Sequence, residues 1–166
     1  MTDTSHYLFK LAALGGTFDI LHKGHRRLLK EAFLAAEKVI IGVTSDLLVA
    51  RLKKPHPVRP YSERVLALKA LLRDMGVADR AQIIPLEDPY GPTIVDPSIQ
   101  AIIVSEETMD RAFEINEIRE RQGLPPLAIV VIRMVLAENG RPISCTRIRR
   151  GEIDPEGRVL YSKASR

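Results

Sequence analysis

Two histidines follow a glycine pair near the beginning of the chain. His22 and His25 stand three residues apart, shortly after Gly15 and Gly16, which end an apolar run of strand length. Imidazole N–H groups donate hydrogen bonds to phosphate oxygens, and glycines let a ligand approach the backbone. In α/β proteins the corner between a strand and the next helix binds phosphate groups. The pattern therefore predicts phosphate chemistry at such a corner, with an ordinary turn and helix cap as the alternative.

A second group of hydrogen-bond donors lies far along the chain. Ser144, Cys145, Thr146 and Arg149 belong to a predicted final helix over residues 143–151. Hydroxyls, backbone N–H groups at a helix start and a guanidinium suit the β- and γ-phosphates of a triphosphate. Because a thiol is a weak donor, we expect Cys145 to contribute through its backbone and not as a nucleophile. The alternative is an ordinary capped surface helix.

The elements that position these groups alternate along the sequence. The hydrophobic pattern predicts strands over residues 8–14, 39–44, 82–86, 101–104 and 128–135. It predicts helices over residues 26–37, 47–52, 61–76, 105–122 and 143–151. This alternation predicts one domain over residues 1–166, of the α/β class, with a Rossmann-like parallel five-stranded sheet and helices on both faces.

Two loops of this fold have a distinctive composition. Residues 53–60 hold three prolines among basic side chains, and they follow the second strand, so they return to the sheet edge that carries the histidines. We interpret them as a mobile basic lid, with a solvated linker as the alternative. Arg64 lies in the first turn of the next helix, where a cation opposes the helix dipole and an anionic partner is favoured. Residues 87–92 are predicted to wall one side of a pocket or to be a plain connection.

Composition limits the function classes. Of 166 residues, 45% are hydrophobic, and 25 basic against 21 acidic residues give a net charge of +4, which suits polyanionic metabolites. The chain has no tryptophan and no long Lys/Arg tract, so we expect no specific nucleic-acid partner. Its one cysteine fits a reducing, cytoplasmic location, and its apolar runs are too short to span a membrane. The oligomeric state is left open, a homo-oligomer included.

The motifs carry a family resemblance. The stretches Gly16-Thr17-Phe18-Asp19 and His22-Lys23-Gly24-His25 resemble the signature of the His-x-Gly-His nucleotidyltransferase superfamily, and residues 144–149 resemble its closing motif, with Cys145 in place of a serine. Over nearly its whole length the chain is similar to the archaeal type of phosphopantetheine adenylyltransferase. The further matching stretches are residues 54–64, 104–108 and 116–119. The resemblance implies transfer of AMP from ATP to 4′-phosphopantetheine, giving dephospho-coenzyme A and pyrophosphate.

The resemblance also implies roles for individual residues. We expect His25 to donate to the α-phosphate with His22 beside it, and Lys53 to bridge the two substrates. Thr17, Lys53 and Arg64 are the expected acceptor contacts. The expected nucleotide contacts are Gly15, Gly16, Thr17, Phe18, Gly24, His25, Ser144, Cys145, Thr146 and Arg149. Mg²⁺ is expected to arrive on ATP, without a metal site of the protein's own.

Two other functions fit the same motifs. The first is an adenylyl- or cytidylyltransferase with another phosphate acceptor, such as flavin mononucleotide. The second is a non-catalytic module that binds nucleotides or RNA. The bacterial type of phosphopantetheine adenylyltransferase carries arginines after its fourth strand, whereas this chain has Ser105-Glu106-Glu107 there. The acceptor pocket therefore cannot be transferred residue by residue from the bacterial type.

Overall fold

The computed structural model describes residues 6–161, which form an α/β fold around one parallel sheet. The strands are β1 (Phe9–Gly16), β2 (Ala36–Thr44), β3 (Ala81–Leu86), β4 (Ala101–Ser105) and β5 (Ala128–Ile132). The helices are α1 (Lys23–Ala35), α2 (Asp46–Leu52), α3 (Tyr61–Asp74), α4 (Met109–Arg121) and α5 (Cys145–Arg149). The five strands lie in the order β3-β2-β1-β4-β5, which confirms the predicted Rossmann-like sheet.

Alternation along the strands divides the core between the two faces of the sheet. Leu14 in β1 and Ile41 in β2 belong to the cluster that packs against α1 and α3. Their neighbours Ala13 and Ile40 belong to the cluster that packs against α4. Successive side chains of a strand point to opposite faces, so nearly continuous apolar runs are what a sheet covered on both sides requires.

The strand order creates a crevice between β1 and β4. From β1 the chain builds outward to β2 and β3, and it then crosses back to place β4 on the other side of β1. In such open sheets ligands bind outside the carboxyl ends of the strands, at the point where the order reverses. The glycine pair at the end of β1 lies at this point.

The last elements are shorter than the sequence pattern predicts. β5 ends at Ile132 because its partner β4 ends at Ser105, and a strand is defined by its pairing. Beyond it, the chain forms a small separate core of Ala137, Ile143 and Ile153. The following segment fixes the start of α1, since the carbonyl of Pro155 accepts a hydrogen bond from the N–H of Lys23 at 2.9 Å.

No helix within residues 6–161 has the length and apolar character needed to cross a membrane.

Candidate active site

The two histidines cap the start of α1 reciprocally. Nδ1 of His22 accepts a hydrogen bond from the N–H of Gly24 at 3.0 Å, and Nδ1 of His25 accepts from the N–H of His22 at 3.3 Å. Their rings stack with centroids 3.8 Å apart. Two orphan N–H groups of the helix start are satisfied in this way, as in a capping box made by other residue types.

These contacts fix the protonation of both rings. Burial, with the charge of Arg26, lowers the pKa of His22 to about 4. Burial, with the neighbouring His22 ring, lowers the pKa of His25 to about 3. Both imidazoles are therefore neutral at physiological pH, and since each Nδ1 is an acceptor, the single proton of each ring lies on Nε2. The pair provides two neutral N–H donors.

Two backbone features shape the corner around the pair. A Cβ at Gly24 would lie 2.8 Å from Cε1 of His22, so this glycine makes room for the capping ring. The predicted contact of Gly24 with the nucleotide stays a prediction. Phe18 has a φ of 52°, a conformation rare for residues with a side chain, and it is buried. Its ring centroid lies 5.1 Å from that of His25, so the buried Phe18 ring packs against the imidazole.

The late corner of the chain meets the histidines, as the sequence predicts. The Cys145 thiol donates to the carbonyl of Ile20 at 3.4 Å, across 125 positions of sequence. Burial, the largest effect, raises the pKa of this thiol, which agrees with the expectation that it is no nucleophile. The hydroxyl of Ser144 caps α5 by accepting from the N–H of Arg147 at 3.2 Å. Because α5 has only five residues, its hydroxyls matter more here than a helix dipole.

A cavity of about 390 Å³ lies between the two corners, and we call it the histidine cavity. It is lined by the residues from Gly15 to Asp19, by the capping pair and by Ser144, Cys145 and Thr146. Basic side chains reach it from two further segments, Lys54 and His56 from the proline-rich loop and Arg133 from the end of β5. It therefore combines neutral donors with positive charge, the combination that a polyphosphate requires.

Asp19 joins three segments beneath this cavity. Its buried carboxylate accepts two hydrogen bonds from the guanidinium of Arg149, at 3.1 and 3.0 Å, and one from the N–H of Arg59 at 3.0 Å. Burial by itself raises the pKa of Asp19, but these hydrogen bonds and the two positive charges outweigh burial and leave the pKa below its usual value. Arg149 pairs with Asp19 through Nε and Nη2 and is not among the residues that line the cavity, so its predicted contact with the nucleotide stays a prediction.

Arg64 is placed differently from the prediction. Its side chain is fully buried and donates to the carbonyls of Arg59 (2.7 Å) and Thr17 (2.9 Å) and to the hydroxyl of Thr44 (3.3 Å). It also forms an ion pair with Asp46 at 3.2 Å. With its donors used in this way, it does not reach either cavity and cannot contact an acceptor from here. Its role is to hold the ends of β1 and β2 and the basic loop in register.

The basic loop lies over the site, but through different residues than expected. Lys53 ends α2 in a left-handed conformation with a φ of 47°, and its exposed side chain lines neither cavity. Lys54, His56 and Val58 line the histidine cavity instead. The basic loop thus lies beside the candidate phosphate site, as the sequence predicts, and Lys54 is its lysine that lines the cavity. The contact predicted for Lys53 stays a prediction.

Sequence reasoning missed the residues that follow β4 and β5 at the site. Arg133, Met134 and Val135 line the histidine cavity because β5 stops before them. Glu107 and Thr108, in the turn before α4, border both cavities. Their position in the sequence could have identified them, because residues just beyond the carboxyl end of any strand in a parallel sheet lie on the ligand-binding edge.

A second cavity of about 430 Å³ adjoins the first, and we call it the apolar cavity. The two share Gly15, Gly16, Leu28, Glu107 and Thr108. The apolar cavity is walled by aliphatic side chains of β2, β3 and β4 and by Pro89, Tyr90 and Pro92. The prediction that residues 87–92 wall a pocket is thus confirmed. Charged side chains line its α4 side, namely Glu107, Asp110, Arg111 and Glu114, and the Tyr90 hydroxyl donates to Glu114.

Comparison with known proteins agrees with this geometry. A family model described as cytidylyltransferase-like matches residues 13–151, more than half of the chain. A phosphopantetheine adenylyltransferase from Methanothermobacter thermautotrophicus is 51% identical over 152 residues, which cover 92% of this chain and 90% of the relative. A protein of the same name from Methanopyrus kandleri is 49% identical over 146 residues, which cover 88% of this chain and 92% of the relative.

A solved structure extends the comparison to three dimensions. A protein of unknown function from Archaeoglobus fulgidus superposes with a TM-score of 0.65 at 35% identity. The match covers 75% of this chain and 89% of that chain. The arrangement of sheet and helices described above therefore recurs in a related protein.

Proposed function

The chain belongs to the cytidylyltransferase-like family and, within it, to the phosphopantetheine adenylyltransferases, and we propose that it transfers AMP from ATP to 4′-phosphopantetheine. The products are dephospho-coenzyme A and pyrophosphate, so the reaction belongs to coenzyme A biosynthesis. The observation that carries the proposal is the convergence of the capping histidines and Ser144–Thr146 on one cavity that shares lining residues with a second, apolar one.

The histidine cavity is proposed to hold ATP. Its triphosphate would lie between the two corners, where the hydroxyls of Ser144 and Thr146 and the backbone at Gly16 and Thr17 supply hydrogen bonds. Lys54 supplies a positive charge from the overlying loop. These contacts come from separate segments of the chain. Because Lys54 belongs to the proline-rich loop, the site is complete only while that loop lies over the cavity.

Nε2 of His25 is proposed to donate to the α-phosphate oxygens. Negative charge accumulates there as the acceptor oxygen attacks and the bond to the bridging oxygen of the β-phosphate breaks. A donor already held in place by its Nδ1 contact needs no reorganisation during this step. His22 stacks on it and fixes its plane.

The acceptor's own phosphate is proposed to be the nucleophile. The second pKa of a phosphate monoester is about 6, so it is a dianion at neutral pH and no general base is needed. Catalysis then depends on positioning and charge stabilisation. Pyrophosphate leaves with the electron pair of the broken bond, and its charge is balanced by the basic groups around the cavity.

The apolar cavity is proposed to hold the pantetheine arm. Its volume of about 430 Å³ and its aliphatic walls suit a slender chain of methyl, methylene and amide groups. Because the two cavities share the glycine pair, an acceptor phosphate at this border would face the α-phosphate. Thr17 lies on the histidine side of the border, where it would orient that phosphate.

Divalent metal is proposed to enter as Mg²⁺ bound to ATP. Among the described residues, the cluster able to hold a metal ion consists of His22, His25 and Cys145. Nitrogen and sulfur donors do not suit Mg²⁺, which prefers oxygen ligands and keeps several waters. The residues therefore do not form a Mg²⁺ site, and the ion is better treated as part of the substrate. Cytoplasmic localisation and any homo-oligomer stay predictions.

A pyrophosphate-release assay tests the proposal. Purified chain is incubated with Mg²⁺, with ATP or CTP, and with 4′-phosphopantetheine, flavin mononucleotide or a simple phosphorylated alcohol as acceptor. We expect turnover with ATP and 4′-phosphopantetheine, and mass spectrometry should identify dephospho-coenzyme A. Turnover only with CTP or only with flavin mononucleotide would replace the proposed reaction, and salt-sensitive RNA retention without any turnover would indicate a binding module.

A further inference from the structure

Three side chains with metal-ligand chemistry meet on one wall of the histidine cavity. One ligand atom from each of His22, His25 and Cys145 lies within 4.8 Å of the other two. The proposed transfer uses the imidazoles as hydrogen-bond donors, and it has no use for the thiol. Nitrogen and sulfur ligands of this kind suit zinc and its chemical relatives.

The distances are close to those of a metal centre. For three atoms so placed, some point lies within about 2.8 Å of all of them, whereas zinc bonds to nitrogen and sulfur are ~2.0–2.3 Å long. Shifts of roughly half an ångström would therefore complete three bonds. The fourth position of a tetrahedral ion would face the cavity, where a water molecule or a phosphate oxygen can occupy it.

We propose that His22, His25 and Cys145 bind one divalent ion of the zinc class and that this ion reversibly inhibits nucleotidyl transfer. The binding does not depend on the proposed reaction, whereas the inhibition rests on the proposed function. Coordination is balanced by loss of the thiol proton of Cys145 to solvent, so that the thiolate binds the ion.

The helix cap explains why a bound ion would inhibit. A ring that coordinates through Nε2 must carry its proton on Nδ1, so the hydrogen bonds that Gly24 and His22 donate to Nδ1 atoms are lost. Each lost cap costs on the order of 1 kcal/mol, far less than a metal site of this type can supply. Releasing the caps also lets the rings turn towards the ion. Neither Nε2 then donates to the α-phosphate.

Cobalt spectroscopy tests the binding directly. Co²⁺ is added to the metal-free full-length chain, and the absorption of a thiolate-to-cobalt charge-transfer band is recorded. Cys145 is the chain's one cysteine, so the band has a single origin. We expect saturation at one ion per chain, loss of the band on adding Zn²⁺, and no band in Cys145→Ser. His56→Gln is the matched control, because this histidine lines the same cavity outside the cluster and should leave Co²⁺ binding unchanged.

Calorimetry and circular dichroism complete the binding test. Cys145→Ser should keep the circular dichroism of the wild type and bind Co²⁺ at least ten-fold more weakly by titration calorimetry. Absence of the band in the wild type, or equal Co²⁺ affinity in wild type and Cys145→Ser, would overturn the proposal.

The inhibition is measured with free Zn²⁺ held constant by a metal buffer, because ATP itself binds zinc. Each protein is compared with its own metal-free rate at saturating Mg²⁺ and ATP. Half-inhibition of Cys145→Ser should need at least ten-fold more free Zn²⁺ than that of the wild type. Identical Zn²⁺ sensitivity of the two would refute inhibition through this cluster. A wild type that binds Co²⁺ but has no metal-free turnover would refute the proposed function and not the metal site.

Discussion

The N–H of His22 donates to Nδ1 of His25 at 3.3 Å, so one hydrogen bond both caps α1 and determines which nitrogen of His25 carries the proton. The ring stacking at 3.8 Å adds a second restraint on the same side chain. Stability of the helix start and orientation of the proposed catalytic donor are therefore coupled. Substitutions at His25 separate the two roles only if they preserve the Nδ1 acceptor or the Nε2 donor individually.

The first prediction uses that separation. The side-chain oxygen of asparagine can replace the Nδ1 acceptor, and the side-chain amide of glutamine can replace the Nε2 donor. We expect His25→Asn to keep ATP affinity and stability but to lower kcat about 10²–10³-fold, as does loss of one transition-state donor elsewhere. His25→Ala should lower kcat as much and also lose the cap, while His25→Gln should retain more activity than either. Steady-state kinetics, ATP-binding calorimetry and urea unfolding measure the three quantities, and near-normal turnover of His25→Asn would eliminate the assigned role.

A second prediction follows from the low histidine pKa values. Unfolded histidine titrates near pH ~6.5, whereas the folded values are about 4 and about 3, so the unfolded chain binds more protons below pH 6.5. The stability contributed by the neutral rings is complete above that pH. It is lost as the pH falls towards the folded values, with a slope approaching about 1.4 kcal/mol per pH unit for each histidine.

Urea unfolding at about pH 7.5, 6.5 and 5.5 tests this slope, because carboxylates contribute mainly at lower pH. In His22→Asn, which keeps a side-chain cap, the fall in unfolding free energy between pH 6.5 and 5.5 should be roughly halved. A stability that is flat across this interval in the wild type would show that the rings do protonate in the folded state.

A third prediction distinguishes two adjacent lysines. Lys54 lines the histidine cavity, whereas Lys53, at the end of α2, is not among its lining residues. We expect Lys54→Ala to lower kcat/KM by about ten-fold or more, because a charge beside the polyphosphate is lost, with circular dichroism unchanged. Lys53→Ala is the matched control and should stay within about two-fold of wild type. The reverse order would support the bridging role predicted for Lys53.

The fold was predictable because it depends on patterns that a single sequence carries. Apolar runs, helical periodicity and turn residues predicted five strands in a parallel sheet, though not their order, and the two motifs could be placed at carboxyl ends of strands. Their meeting at one cavity followed from topology. The β5 end at Ile132 was not predictable, because it depends on where a partner strand stops.

The arginines show where residue type is insufficient. Arg64 and Arg149 have the chemistry of phosphate ligands, yet Arg64 donates to backbone carbonyls and Arg149 pairs with Asp19. Deciding between a ligand and an internal partner requires knowing which carbonyls and carboxylates face the side chain. The same holds for the capping histidines, since no local rule distinguishes His-x-x-His as a capping box from two independent ligands.

A fourth prediction concerns Asp19 as a cross-link. In Asp19→Asn the side chain keeps one oxygen, but it loses the charge and turns an N–H group towards the donors of Arg149 or Arg59. We expect the unfolding free energy to fall by about 2–4 kcal/mol, as when one partner of a buried pair is removed. Glu156→Gln is the control, because its pair with Arg26 is half exposed and should contribute less than about 1 kcal/mol.

Urea unfolding gives both values, and hydrogen exchange should show faster exchange in residues 53–60 of Asp19→Asn only. An effect no larger than that of Glu156→Gln would mean that Asp19 does not hold the three segments together.

The last prediction separates the two substrates by their cavities. Tyr90 lines only the apolar cavity, and its ring packs in the core beside α4 while its hydroxyl donates to Glu114. Removing the ring in Tyr90→Ala widens the proposed pantetheine channel and leaves the Glu114 carboxylate without this donor. We expect the KM for 4′-phosphopantetheine to rise about ten-fold, the loss of roughly 1.4 kcal/mol of binding, while the KM for ATP stays within about two-fold. Phe113→Ala is the control. The Phe113 ring belongs to α4, but it is 52% exposed and lines neither cavity, so both KM values should stay at wild-type levels. A rise in the KM for ATP alone would mean that the two cavities hold the substrates the other way round.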